Sequence, residues 1–97
     1  MYDIAYTETA IQDLRWFTKR EQDVIMDGIE RRLRHEPTVA TRHRKRLRPN
    51  STARWELRLG DLRVLYDVET QVQIVEIKRI GEKRGNAFLF RGQEEEL

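Results

Sequence analysis

Hydrophobic residues recur at two different periods along the chain, and each change of period marks an element. Tyr2-Asp3-Ile4-Ala5-Tyr6 alternates, with Tyr2, Ile4 and Tyr6 on one side, which predicts a first strand. Ala10, Ile11, Leu14 and Phe17 then recur at three- and four-residue steps. This predicts an amphipathic helix from Thr9 to Lys19, with Thr7 as its cap and Glu8 favourable in its first turn. A second helix is expected from near Glu21, with Val24, Ile25, Gly28, Ile29 and Leu33 as its stripe. Pro37 ends it, since the residue before a proline is driven out of helical geometry. The joint around Lys19-Arg20 is so short that the helices should form an antiparallel hairpin.

From Thr38 to Ala53 the periodicity stops. The stretch holds Arg42-His43-Arg44-Lys45-Arg46-Leu47-Arg48 and the turn signal Pro49-Asn50-Ser51, and it is expected to be a long loop. Alternation resumes in Arg54-Trp55-Glu56-Leu57-Arg58-Leu59, which predicts Trp55, Leu57 and Leu59 inward and Arg54, Glu56 and Arg58 outward. Gly60-Asp61 predicts a hairpin turn, Leu62 to Val68 a strand, and Glu69-Thr70-Gln71 a second turn. The next strand, Val72 to Ile80, crowds Ile74, Val75 and Ile77 together, as in a strand buried on both faces. Beyond Gly81, residues 82–92 fit either a short helix or an added strand. The order β-α-α-β-β-β describes an α+β fold in a single domain over residues 1–97, with an N-terminal helical hairpin on one face of a mostly antiparallel sheet. Its core should contain Ile4, Leu14, Phe17, Ile25, Ile29, Leu33, Leu57, Val64 and Ile74.

Composition narrows the function classes. Cysteine is absent, which excludes disulfides, thiolate metal sites and cysteine nucleophiles. No apolar run approaches the roughly 20 residues of a membrane span, and Met1-Tyr2-Asp3-Ile4 is unlike the start of a secretory signal. A cytoplasmic protein with no membrane partner is therefore expected. The net charge is only +2, yet from Arg31 to Arg63 eleven Arg and Lys stand against three acids, Glu36, Glu56 and Asp61. Glu94-Glu95-Glu96 lowers the total from the far end of the chain. A basic stripe on a near-neutral protein points to a polyanionic partner, and phosphate backbones are the commonest. A solvated basic loop is the plainer alternative.

The candidate chemistry lies in charges on strands. His35 and His43 lack accompanying carboxylates, so no metal site is expected, and Ser51, the only serine, falls in a turn. Glu56, flanked by Arg54 and Arg58, suits either a general base or a salt bridge. Arg63 is a single charge in the apolar run Leu62-Arg63-Val64-Leu65-Tyr66. It is either pre-positioned for a site on a rigid element or packed along its stem with its head in water. Lys83-Arg84 follow the last long strand and could reach the same face. Arg42, Arg44, Lys45, Arg46 and Arg48 are candidates for gripping an RNA backbone, since a positively charged sheet face suits single-stranded RNA.

These segments resemble the RelE/ParE superfamily of bacterial toxins from type II toxin–antitoxin operons, over nearly the whole chain. Trp55-Glu56-Leu57-Arg58-Leu59-Gly60-Asp61-Leu62-Arg63-Val64-Leu65-Tyr66 is similar to the family's strand pair, W-x-[IL]-R-[VL]-G-[DN]-[YL]-R-[VL]-[LI]-Y. Lys45-Arg46-Leu47-Arg48 looks like the K-x-L-x segment before it, and Ile80-Gly81-Glu82-Lys83-Arg84 resembles the I-x-x-[HR]-[KR] that ends the last strand. The resemblance implies a fold akin to microbial ribonucleases. It also implies one of two activities: RelE-like members cut mRNA in the ribosomal A site, whereas ParE-like members poison DNA gyrase. The RelE-like branch is the favoured expectation, and a non-catalytic module that binds antitoxin and nucleic acid is a further alternative. Catalytic positions carry over to Arg58, Arg63 and Arg84 or Lys83, with Glu56, His43 and Lys83 as candidates for proton transfer. A cognate antitoxin that folds on binding into a hetero-oligomer, the ribosome and mRNA are the implied partners, with neither cofactor nor metal. The chain departs from the family twice: Glu56 stands where several RelE-type members have lysine, and Phe90, the nearest aromatic to a C-terminal tyrosine of some members, has no phenol.

Overall fold

Two threonines start the helices. Thr7 precedes α1 (Glu8–Trp16), and its side-chain oxygen accepts a hydrogen bond from the Ala10 N–H at 3.1 Å. Thr18 precedes α2 (Lys19–Leu33) in a reciprocal box: Thr18 Oγ1 accepts from the Glu21 N–H at 3.2 Å, and Glu21 Oε1 accepts from the Thr18 N–H at 3.0 Å. The helix predicted to reach Lys19 thus stops at Trp16, and the one expected near Glu21 starts at Lys19. The capping box, not the hydrophobic period, sets the break. The computed structural model describes all of residues 1–97, and none of its helices is long and apolar enough to cross a membrane.

Seven strands make one sheet: β1 (Asp3–Tyr6), β2 (Arg44–Arg46), β3 (Trp55–Leu59), β4 (Leu62–Glu69), β5 (Ile74–Arg84), β6 (Ala87–Phe90) and β7 (Gln93–Glu95). The order β2-β3-β4-β5-β6-β7 is antiparallel throughout, and β1 pairs in parallel with the first part of β5. This is the expected α+β arrangement with three strands added. β2 lies inside the segment expected to be a loop; it is an all-cationic edge strand whose pairing rests on backbone bonds, so no hydrophobic period announces it. The tail is strand, not helix. Gly85 at φ 59°, then Arg91 and Gly92 at φ 50° and 76°, supply the left-handed conformations that two-residue hairpins demand.

α1 packs against β5, and α2 against β3 and β4. The main core joins Phe17, Ile25, Ile29 and Leu33 of the helical segment to Leu57, Val64, Tyr66 and Ile80 of the sheet. Each large aliphatic side chain buried there is worth roughly 1.5–3 kcal/mol. Ile4, Leu14 and Ile74 are only half-buried, and Val24 faces solvent, because the apolar stripe of α2 is narrower than the sequence suggested. Gly28 lets α2 approach β3 closely, since a Cβ there would lie 2.6 Å from Leu59 Cδ1 and push that side chain aside. The Tyr66 hydroxyl, deep in this layer, donates to the Pro37 carbonyl at 2.6 Å, and burial pushes its pKa up.

One edge of β5 is shared. β1 pairs with residues 74–77 and β6 with 82–84, which leaves a gap between them. The start of α1 fills it: Thr7 Oγ1 donates to the Lys78 carbonyl at 3.1 Å, and Asp13 Oδ2 accepts the Ile80 N–H at 3.1 Å. Asp13 is fully buried, with Arg79 Nε at 2.8 Å and Arg91 Nε at 3.0 Å. The hydrogen bond to Asp13 raises the Arg79 pKa beyond its usual value. A carboxylate here does a strand's hydrogen bonding.

Candidate nucleic-acid interface

Strand alternation sorts the charges between the two faces of the sheet. Direct cross-strand partners share a face, and the registers Glu56↔Leu65, Arg58↔Arg63 and Arg63↔Gly81 put Glu56, Arg58, Arg63 and Leu65 together on the face away from the main core. Lys83, two residues beyond Gly81, joins them, and its Nζ sits 5.1 Å from the Phe88 ring centroid on the paired strand β6. Lys45 lies opposite Glu56 across β2–β3. This face is partly covered by a second, smaller apolar cluster of Ala53, Leu65 and Phe90, with Leu47 and Phe88 against it.

Glu56, expected to point outward into solvent, is buried: only 2% of its side chain is accessible. Facing away from the helices is not facing water, because Leu47, Ala53, Phe88 and Phe90 pack with Leu65 on that face. Two guanidinium groups meet one of its oxygens. Arg58 Nε donates to Glu56 Oε1 at 3.1 Å, and Arg63 Nε lies 3.2 Å from the same oxygen without the alignment of a hydrogen bond. Arg63 spends Nη1 on the carbonyls of Gly60 (2.6 Å) and Leu62 (2.9 Å), and 13% of its side chain is exposed. Arg58 is the freer of the two, at 35% exposure, and no protein oxygen accepts from its Nη atoms.

An open groove of about 720 Å³ runs past Glu56. Lys45, Arg48, Lys83 and Arg84 line it together with Glu94, Glu95 and Glu96. Arg84 lies on the opposite alternation from Lys83, is 71% exposed, and pairs with Glu82 at 3.4 Å. Lys83 therefore stands on the same face as Arg63, and Arg84 lies at the groove's rim. The five cations of the basic segment do not act as one patch. Lys45 and Arg48 border the groove, and Arg42 is exposed. Arg44 turns back to donate to the carbonyls of Val39 and Arg32, both at 2.8 Å, where it neutralises the end of α2. Arg46 borders the groove while its guanidinium lies 5.7 Å from the Trp55 ring centroid. Asn50 holds the following turn: its Oδ1 accepts from the Thr52 and Ala53 N–H groups at 2.7 and 3.0 Å. His43 is half-buried at the entry to β2, where its carbonyl accepts the Arg58 N–H.

Two features were not visible in the sequence. Phe90 is buried beneath Arg79, whose guanidinium carbon lies 4.2 Å from the ring centroid, so Phe88 is the aromatic that reaches the groove. The acidic C-terminal run lines the same groove as the cations because β7 pairs back onto β6.

No family model and no curated protein matches the sequence. Solved structures do. A chain of the RelBE2 toxin–antitoxin complex from Mycobacterium tuberculosis superposes with a TM-score of 0.73 and 27% identity, covering 84% of this chain and 98% of that one. The archaeal RelE–RelB complex from Pyrococcus horikoshii OT3 gives a TM-score of 0.69 at 22% identity over 89% and 98% of the two chains. The isolated E. coli RelE toxin gives 0.70 at 15% identity over 87% and 86%. The fold is RelE-like, as the pattern of the strand pair from Trp55 to Tyr66 implies.

Proposed function

We propose that this RelE-like chain is the toxin of a type II toxin–antitoxin pair, and that it acts in the cytoplasm as a ribosome-dependent endoribonuclease on mRNA. The observation that carries the reading is the gathering of Arg58, Arg63 and Lys83 on one sheet face beside an open groove to which Lys45, Arg46, Arg48 and Arg84 also contribute, in a chain of RelE-like fold. Solved relatives of the fold are complexes of toxin with antitoxin, which supports a cognate antitoxin as its partner.

The reaction is a transesterification in which the RNA supplies its own nucleophile. The 2′-oxygen of RNA attacks the adjacent phosphorus, the bond to the 5′-oxygen breaks, and a 2′,3′-cyclic phosphate results. Charge grows on the non-bridging oxygens in the transition state. A guanidinium fork matches two such oxygens, and one well-placed donor is worth roughly 2.7–4 kcal/mol. Arg58, through both Nη atoms, and Arg63, through its remaining Nη2, share that role. Lys83 reaches the phosphate from the neighbouring strand. Glu56 and Lys83, both on the groove, and His43 near it are the candidates to take the 2′-proton and return one to the 5′-oxygen. Lys45, Arg48 and Arg84 grip the flanking backbone.

Primer extension on mRNA bound to translating ribosomes tests the proposal. Breaks in the A-site codon that appear with the purified protein and vanish with its antitoxin are the expected result. Intact mRNA together with inhibited supercoiling by DNA gyrase would overturn it in favour of the ParE-like activity.

A further inference from the structure

We propose that Glu56 is a positioning residue: its Oε1 holds the Nε edges of Arg58 and Arg63 so that their remaining N–H groups converge on one phosphodiester. The inference rests on the ribonuclease reading and assigns Glu56 a task different from proton transfer. The geometry is specific. One buried oxygen receives Nε of Arg58 at 3.1 Å and lies 3.2 Å from Nε of Arg63, and the two arginines are direct cross-strand partners. Arginines placed opposite each other repel, and without an acceptor between them they would splay apart. A carboxylate bound to the Nε edge fixes a guanidinium plane and leaves its Nη edge for the substrate. For Arg58 that edge has no protein acceptor; for Arg63, Nη1 is anchored on the Gly60 and Leu62 carbonyls, which stiffens the plane and leaves Nη2. The Arg63 Nε lacks an aligned acceptor, so this cluster is not saturated as a purely structural salt bridge would be.

The single negative charge also keeps the free site from being over-attractive. Two arginines without Glu56 would bind any polyanion more strongly, but in poorly defined orientations. Removing the carboxylate should therefore move binding and catalysis in opposite directions while the acidic limb of the pH profile stays; loss of a general base would remove that limb.

The test uses the full chain with Glu56→Leu, which keeps volume and removes the acceptor, and Glu56→Asp, which keeps the charge but shortens its reach. Binding of a fluorescent single-stranded oligouridylate is measured across a salt series, and single-turnover cleavage on ribosome-bound message across a pH series. Glu56→Leu should bind the oligonucleotide more tightly, with a slope of log K against log salt steeper by roughly 0.7. It should cut about 10²-fold more slowly, the usual result of misplacing a catalytic group, with the shape of the pH profile unchanged. Glu56→Asp should bind as wild type and still cut slowly. Should Glu56→Leu fail to fold, Glu56→Gln carries the same test, with tighter binding and a smaller rate loss. Full activity per folded molecule in Glu56→Leu or Glu56→Gln, full recovery in Glu56→Asp, or loss of the acidic limb of the profile in the uncharged variants would each overturn the assignment. A wild-type protein that cuts no message defeats the ribonuclease reading instead. The clamp is then decided by oligonucleotide affinity and by the arginine Nε–H resonances, whose protection in wild type and loss in Glu56→Leu it requires.

Discussion

The protein buries two carboxylates, Asp13 and Glu56, and they differ in how fully they are satisfied. Asp13 accepts from Arg79 through both of its oxygens, from the Ile80 N–H, and lies 3.0 Å from Arg91. Glu56 receives one aligned hydrogen bond and one misaligned ion pair, both on a single oxygen. Burying charge is costly unless the partners repay it. Asp13 is repaid in full and closes a gap in the sheet, so its cluster belongs to the fold. Glu56 is repaid in part, lines the groove itself, and leaves the Nη atoms of Arg58 without a protein acceptor, so its cluster is free to do chemistry. The degree of saturation separates a structural knot from a working one when burial alone does not.

The sharpest way to break that contrast is Asp13→Ala. It strands two arginines and an orphaned strand N–H, and should destabilise the fold by about 3–5 kcal/mol, read as a lowered midpoint in urea. Arg63→Ala should show the opposite balance: cleavage on ribosomes lower by roughly 10²–10³-fold, with ribosome binding little changed. A Tm that drops while the rate per folded molecule stays near wild type would move Arg63 to the structural side.

Tyr66→Phe probes the core face, where the one buried phenol leans on Pro37. Removing the hydroxyl leaves that carbonyl unpaired at a cost of about 1–3 kcal/mol. The same residue sets an alkaline dependence. Burial raises the folded-state pKa of Tyr66, so its contribution is complete below the ordinary phenol value of about 10. Above it, the unfolded phenol loses its proton while the folded one keeps it, and stability falls as pH rises. Thermal melts of wild type and Tyr66→Phe between pH 8 and 11 should diverge less at the alkaline end.

Smaller effects separate cations that serve the groove from those that serve the fold. Neutralising Arg42, Lys45 and Arg48 to Gln should lower the salt slope of RNA binding by roughly 0.7 for each lost contact. Arg44→Gln should leave it unchanged, because that guanidinium is committed to backbone carbonyls. The smallest shift is expected from Glu94→Gln with Glu96→Gln, which removes charge from the acidic wall and should tighten oligonucleotide binding by less than about tenfold.

Much of the architecture was legible because it follows from local rules. Alternation in Trp55–Leu59 and Leu62–Val68 with Gly60-Asp61 between them marks a hairpin, and the stripe through Ile25, Ile29 and Leu33 marks α2, since hydrophobic periodicity is written into the order of residues. Thr7 as a cap was readable for the same reason. The tail was not, because its strands depend on left-handed turns at Gly85, Arg91 and Gly92, and on pairing with β5, a partner that a local reading cannot supply. The basic segment was misread as loop because β2 has no hydrophobic face and is held by the backbone of β3.

By itself the sequence determined the two helices, the first strand, the hairpin of β3 and β4 with the strand after it, most of the main core and the local excess of positive charge, all properties of neighbouring residues. Tertiary structure alone decided which charges meet. Pairing register put Arg58 opposite Arg63, alternation chose Lys83 over Arg84 for their face, and the return of β6 and β7 brought the acidic end to the groove that Glu56 lines. The physical reason is that burial and electrostatic pairing depend on distances between residues far apart in the chain, and only the closed sheet sets those distances.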